Sequence, residues 1–216
     1  MEIRKALIPI SEGKRSGRKI TASTLTIHST DNPNSSAQNE RDWLVNPDNH
    51  RAASWHVCVD QREAVMAIPL DERALHAGGK QGNDTSLSLE ICESGDREQT
   101  LRNAVNVTAG LLQDRDWGVD KLRQHHDWSG KNCPRILRDT GRWDWFVGEV
   151  EKALKGEDEM TIYKTYKDCP EWAKPTVSKL VRLGLLKGDE NQQLNLEHNM
   201  LRGLVINDRA GLYDWK

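Results

Sequence analysis

Four short runs of β-forming residues, 25–28, 55–59, 64–69 and 87–92, stand apart from one another across clusters of Asn, Asp, Gly and Pro. Isolated strands of this length leave their backbone N–H and C=O groups unpaired, so the runs are predicted to pair as one sheet. From residue 96 the pattern changes. Leu101, Val105, Val107, Leu111 and Leu112 recur at helical spacing, Asp96 stands at a capping position and Gly118 follows, which predicts a helix over 96–117. A further short strand is expected over 122–125. A second helix is expected over 142–155, with Trp145, Phe146, Val150 and Leu154 on one side. The expected class is α/β: a mixed central β-sheet flanked by helices.

The pattern breaks at Lys155-Gly156-Glu157-Asp158-Glu159, a charged stretch containing a helix breaker. A boundary there divides the chain of 216 residues into a larger domain, 1–155, and a small α-helical module, 161–216. Lys plus Arg number 31 against 33 for Asp plus Glu, so no global positive field directs the chain to nucleic acid. No apolar run approaches the roughly 20 residues needed to span a bilayer. The N-terminus lacks the apolar core of a secretory signal, which implies synthesis in the cytoplasm. The four cysteines, Cys58, Cys92, Cys133 and Cys169, form no CxxC pair, and in a reducing cytosol they do not suggest a disulfide framework. Cys58 and Cys92, inside apolar strands, read as buried fillers.

His28 ends an apolar strand, and His125 and Cys133 lie close together after the long helix. Imidazole and thiolate suit zinc, and three protein ligands with one open position describe a catalytic rather than a structural site. Seven residues separate His125 from Cys133, and a Ser-Gly turn among them lets the chain fold back. On spacing alone the alternative stands beside this: a boundary histidine and a small buried cysteine with no metal between them.

The runs Leu25-Thr26-Ile27-His28-Ser29-Thr30, Ala53-Ser54-Trp55-His56-Val57, Ala74-Leu75-His76-Ala77-Gly78-Gly79, Asn83-Asp84-Thr85-Ser86-Leu87-Ser88-Leu89-Glu90-Ile91-Cys92 and the segment from His125 to Pro134 follow one another in a familiar order and spacing. In this the chain resembles the N-acetylmuramoyl-L-alanine amidase type 2 family, which includes phage lysins and autolytic amidases and has the peptidoglycan recognition proteins as distant relatives. The resemblance covers nearly all of residues 1–155. It implies a Zn²⁺ held by His28, His125 and Cys133, with His126 outside the ligand set. It also implies Glu90 as general acid and base, and Lys131 as the cation that offsets developing negative charge. The implied substrate is bacterial peptidoglycan, cut at the amide between N-acetylmuramic acid and L-alanine. His76 falls on a position beside the substrate groove. Trp55 stands where some relatives carry tyrosine; it cannot donate a phenolic proton, and is expected to pack against substrate or core. With no secretory signal, a wall substrate implies release through a pore from the cytoplasm of a bacterial host, as phage or prophage endolysins are released.

Residues 161–216 carry Pro175 at an early helical position, apolar residues at helical steps and Gly184 near the end of the first helix. A second helix is expected after Asn195, taken as its N-cap, through Met200, Leu201, Val205 and Ile206. The module resembles a single S-layer homology repeat, which implies wall binding; a docking hairpin that completes the enzyme is the other reading. So small a unit buries little core, and self-association would add to it. The codons of Lys155-Gly156-Glu157 can spell a ribosome-binding sequence ahead of Met160. A second start there would release the module to join the full chain and multiply wall contacts.

Two rival functions remain at this stage. One is a peptidoglycan receptor without catalysis. The other is a thiol hydrolase using Cys133 as nucleophile and His125 as base, although Pro134 follows Cys133 and no helix clearly begins there to activate it.

Overall fold

The predicted apolar runs pair into one sheet, and its pleat sorts their side chains between two different environments. The computed structural model describes residues 1–156, 162–191 and 193–214, which divide into two units, Met1–Gly156 and Glu157–Lys216. In chain order the first unit contains β1 (Ile3–Lys5), β2 (Thr24–Ser29), α1 (Ala37–Val45), β3 (Val57–Val59), β4 (Ala64–Met66), α2 (Lys80–Thr85), β5 (Ser86–Ile91), α3 (Arg97–Gln113), β6 (Leu122–Gln124), α4 (His125–Ser129), α5 (Arg135–Arg138) and α6 (Trp143–Leu154). The strands form a six-stranded sheet of order β1-β4-β3-β5-β2-β6. Only the β3–β4 pair is antiparallel; the other neighbours run parallel. The fold is therefore mixed α/β, with helices flanking a central sheet.

Successive strand residues point to opposite faces. Leu25 and Ile27 of β2, Val57 and Val59 of β3, and Leu87, Leu89 and Ile91 of β5 all turn to one face, where Leu101, Leu112, Phe146 and Val150 of α3 and α6 cover them. Each such side chain removed from water contributes on the order of 1.5 to 3 kcal/mol. On the other face Ala37 and Leu44 of α1 pack with Ile8, Trp55, Cys58, Val65 and Cys92. Cys58 and Cys92 are buried fillers here, their sulfurs 3.4 Å apart. The rest of that face, over β5 and β2, is polar: Thr26, Ser86 and Ser88 are fully buried, and each finds a partner, as most buried hydroxyls do. Thr26 Oγ1 lies 2.7 Å from Ser86 Oγ, and the Trp128 indole donates to Thr26 Oγ1 at 2.9 Å.

The helix expected over 96–117 starts as read, with the Asp96 side chain accepting from the Gln99 amide, but stops at Gln113. Asp116 takes φ 55°, and the Trp117 amide turns back to the Leu112 carbonyl, closing the helix early. The strand expected over 122–125 ends one residue sooner, because Gln124 and Asp127 form a reciprocal cap that makes His125 the first residue of α4. The second expected helix runs over Trp143–Leu154. Residues 157–159 of the charged stretch, and Met160, lie outside the described residues.

In the second unit β7 (Ile162–Tyr163) pairs antiparallel with β8 (Leu196–Glu197), and α7 (Lys174–Arg182) and α8 (His198–Arg209) enclose a small core of Cys169, Ala173, Val177, Leu196, Leu201 and Val205. Asp208 ties the helices by accepting from Thr176 Oγ1 and Lys179 Nζ, both at 2.6 Å. Pro175 sits in the first turn of α7. Asn195 is not the cap of α8. It takes φ 46°, and Leu196 and Glu197 extend to pair with β7, so the helix begins only at His198. Among the described residues no helix is long and apolar enough to cross a membrane.

A partly buried ion pair secures the segment around Arg15 to the rest of the first unit. The Arg15 guanidinium donates to both Glu72 oxygens, at 2.7 and 3.0 Å, and to the Ile8 carbonyl at 2.6 Å. Arg15 holds the Glu72 carboxyl below its usual 4.5. The pair therefore stabilises the fold fully above the unfolded value and loses that contribution as pH falls through the lowered one. Glu72→Gln is expected to cost about 1 to 3 kcal/mol at pH 7 by urea unfolding, and the difference from the native chain should shrink below pH 4. A second expectation concerns the main core: Phe146→Ala should cost about 3 to 5 kcal/mol by the same measurement, since Phe146 is fully buried between α6 and the sheet.

Candidate active site

Three parallel strands, β5, β2 and β6, end side by side, and their carboxyl ends deliver the polar residues singled out in the sequence. Residues directly opposite in a parallel ladder project to the same face, and His28 of β2 stands opposite Glu90 of β5. Ile27 stands opposite Gln124, so the next residue on that side, His125, enters the same space as the first residue of α4. Such ends are where open α/β sheets place their ligands.

Cys133 reaches the site through a closed loop. Gly130 ends α4 at φ 71°, a backbone conformation that suits glycine, and its amide bonds the His126 carbonyl at 2.8 Å. The His126 amide then donates to the Cys133 carbonyl at 3.0 Å. Beyond the loop, Arg135 is held by the buried Glu93 carboxylate and by Asp31 Oδ1 at 2.7 Å. The turn expected from Ser-Gly thus forms, and the loop is fastened at both ends.

His28 Nδ1 lies 3.1 Å from His125 Nδ1 and 3.8 Å from Cys133 Sγ, and the three ligand atoms all fall within 4.8 Å of one another. Glu90 Oε1 is 3.8 Å from His28 Nδ1, and Glu90 Oε2 is buried with no hydrogen-bond partner among the described residues. Two imidazole nitrogens and a sulfur converging on one point, with an orphaned carboxylate oxygen beside them, fit a zinc ion with one position left open. His126, by contrast, is half-buried and its ring lies 3.9 Å from Asp127.

Burial sets the protonation of every member of the group in the metal-free chain. It holds His28 well below its usual value and brings His125 to about 4, with Lys131 adding to both effects. Burial, reinforced by the charge of Glu40, raises Glu90 to about 8. The Cys133 thiol is pushed up to about 12 by burial and by Glu90, against the Ser29 backbone and Lys131.

These groups line a cleft of about 150 Å³ together with Lys131, Trp43, Arg51 and Trp55. Lys131 is exposed at its edge. Trp55 is 6% exposed and belongs to the second core cluster, so it forms the cleft wall rather than a free platform. His76 borders the same cleft but is 7% exposed, with both ring nitrogens engaged inside the protein. His56 lies deeper, with Nδ1 2.9 Å from Ser88 Oγ and Nε2 donating to the Glu72 carbonyl at 2.8 Å; burial lowers it to about 4.

The sequence reading did not single out Ser86 and Ser88, Trp128, Arg51 or the Glu93–Arg135 pair. The strict polar alternation Ser86-Leu87-Ser88-Leu89-Glu90 was the available signal for the first two, since it places both serines on the face of Glu90.

Comparison with known proteins agrees with this geometry. Residues 17–136 match the family model described as N-acetylmuramoyl-L-alanine amidase. The N-acetylmuramoyl-L-alanine amidase XlyB of Bacillus subtilis (strain 168) is 38% identical over 144 residues, covering 63% of this chain and 44% of that protein. The chain spans about half the length of the curated relatives it matches. The solved catalytic domain of XlyA aligns with a TM-score of 0.64 and 34% identity, over 69% of this chain and 99% of that one. A mutant endolysin from Bacillus subtilis gives a TM-score of 0.64 at 33% identity, over 69% of this chain and 98% of that one. With the family model matching more than half of its length, and with the site built on the blocks that first suggested it, the chain belongs to the N-acetylmuramoyl-L-alanine amidase family.

Proposed function

We propose that this chain is a zinc-dependent amidase that hydrolyses the bond between N-acetylmuramic acid and L-alanine in bacterial peptidoglycan, and that it serves as a phage or prophage endolysin. The observation that carries this reading is the convergence of His28 Nδ1, His125 Nδ1 and Cys133 Sγ within 4.8 Å beside a buried, unpartnered Glu90 oxygen. The relatives' shared designation and the endolysin neighbour support the substrate class.

His28, His125 and Cys133 would hold the metal, which when bound would supply Lewis acidity for the scissile carbonyl and lower the pKa of water toward about 7. Glu90 takes the proton of the attacking water and passes it to the departing nitrogen. Its position on a strand, in a low-dielectric floor, keeps the carboxyl group oriented through both transfers. Lys131, at the cleft edge, offsets the negative charge that gathers on the carbonyl oxygen. Trp55 shapes the wall against which the substrate rests, and His76 contributes the edge of its ring to the same cleft. The second unit binds wall polymer or assembles copies of the chain, and a separately translated copy starting at Met160 would raise avidity. Acting on wall after release from the host cytoplasm follows from the same reading.

The two rivals fare less well. A thiol nucleophile needs a lowered pKa, whereas burial holds the Cys133 thiol at about 12, and the helix beyond it starts two residues later with only four residues. A pure receptor has no use for a buried carboxylate without a partner.

Glu90→Ala should retain one zinc per chain by elemental analysis while releasing new amine termini from purified wall about 10²- to 10⁴-fold more slowly; activity close to native would overturn its role. Cys133→Ser should lose both the metal and the activity. A strong chelator should silence the native chain and added zinc should restore it, whereas a thiol hydrolase would survive the treatment. Removing residues 157–216 should leave cleavage of soluble muropeptides within a few-fold of native but reduce retention on insoluble wall.

A further inference from the structure

Beneath the three ligand atoms runs a line of buried polar contacts that the proposed chemistry leaves unused. The Nε2 of His28 lies 3.1 Å from Nδ1 of His76, and Nε2 of His76 lies 3.1 Å from the carbonyl oxygen of Ser86. A carbonyl oxygen only accepts, so His76 must carry its hydrogen on Nε2. His76 is 7% exposed, and among the described residues its ring nitrogens hydrogen-bond to His28 and the Ser86 carbonyl and to no carboxylate, so it is neutral and carries only that one hydrogen. Its Nδ1 is then an acceptor, and the hydrogen shared with His28 must sit on His28 Nε2. The consequence falls on the other side of the His28 ring: Nδ1, the atom facing His125 and Cys133, is left bare.

The backbone around His76 is built to hold this arrangement. The Asn83 side-chain oxygen accepts from the amides of both His76 and Ala77, each at 2.8 Å. Gly82 packs so tightly that a Cβ there would stand 2.4 Å from the Ala77 Cβ and 2.9 Å from the Trp128 ring. Ser86, the terminal acceptor, is the first residue of β5 and is itself fully buried.

We propose that His76 is a positioning residue that, anchored to the Ser86 carbonyl, fixes His28 as its Nε2–H tautomer and so keeps His28 Nδ1 bare and aimed as a metal ligand. This rests on the zinc reading above for its purpose but not for its geometry. With His28 Nδ1 bare, a hydrogen on His125 Nδ1 would fill their 3.1 Å contact in the metal-free chain; to serve as a ligand through that atom His125 would pass to its neutral Nε2–H tautomer, giving up the Nδ1 proton to solvent and taking one at Nε2. Hydrogen-bonded partners of this kind typically alter metal affinity by 10- to 100-fold.

Two measurements on the full chain test this. Long-range ¹⁵N–¹H correlation spectra of the metal-free, histidine-labelled protein should display the Nε2–H pattern for both His28 and His76; an Nδ1–H pattern at His28 would overturn the proposal. Zn²⁺ affinity should then be measured by competition with a chromophoric chelator for the native chain, His76→Leu and His76→Gln. The leucine variant is expected to bind 10- to 100-fold more weakly. Glutamine, whose amide oxygen can accept from His28 Nε2, should bind within a few-fold of native. Native affinity in a folded His76→Leu would overturn the proposal. So would a loss in His76→Gln equal to that in His76→Leu, and should the leucine variant not fold, the spectrum and the glutamine variant decide. A native chain that takes no Zn²⁺ would defeat the metal reading, while the spectrum would still settle the tautomer.

Discussion

Register between β5, β2 and β6 is the constraint on which the site rests. Because side chains in a parallel ladder repeat every second residue, a one-residue slip would turn His28 and Glu90 into the apolar layer and bring Ile27 and Leu89 to the cleft. That slip is prevented by the apolar layer itself. Leu25, Ile27, Leu87 and Leu89 are fully buried against α3 and α6, and exposing them would cost several kcal/mol. Packing on one face of the sheet thus determines the chemistry available on the other.

The polar face has a cost that its own hydrogen bonds offset. Buried hydroxyls and imidazoles are unfavourable unless paired. Thr26 with Ser86, Trp128 with Thr26, His56 with Ser88, and His28 with His76 account for most of this layer. At the cleft the pairing stops. Glu90 Oε2, Ser29 Oγ and Thr30 Oγ1 have no hydrogen-bond partners among the described residues. Burial there favours the neutral form of four groups, raising Glu90 and Cys133 and lowering His28 and His125. A divalent cation among them would favour the deprotonated form of each, the inversion of local pKa logic that bound cations bring. The same four groups that are awkward neighbours alone make a consistent set around one ion.

The second unit follows a different economy. Its core contains few side chains, with Cys169, Ala173 and Val177 among them, and two-residue strands and a bridging Asp208 supply much of its definition. Trp172, Leu183, Leu185, Met200 and Ile206 remain exposed. Apolar surface on so small a unit is consistent with the wall-binding or self-associating role proposed for it.

Local pattern alone carried a good part of this protein. The short β-forming runs contained strands, the Asp96 cap began its helix, and the Ser-Gly segment after His125 turned back, because each depends on neighbours within a few residues. Family resemblance, through ordered blocks, pointed to His28, His125, Cys133 and Glu90 without any geometry. What only the tertiary structure decided is everything that arises between distant segments. The early end of the long helix came from a turn back through Trp117, and the late start of α8 from a strand partner more than thirty residues away. The engagement of both His76 nitrogens, the burial of Trp55 in a core, and the anchoring of Arg135 by Glu93 likewise became visible only when remote residues met. A sequence displays which groups can donate, accept or be buried; which of them do so is settled by the packing that brings their partners within reach.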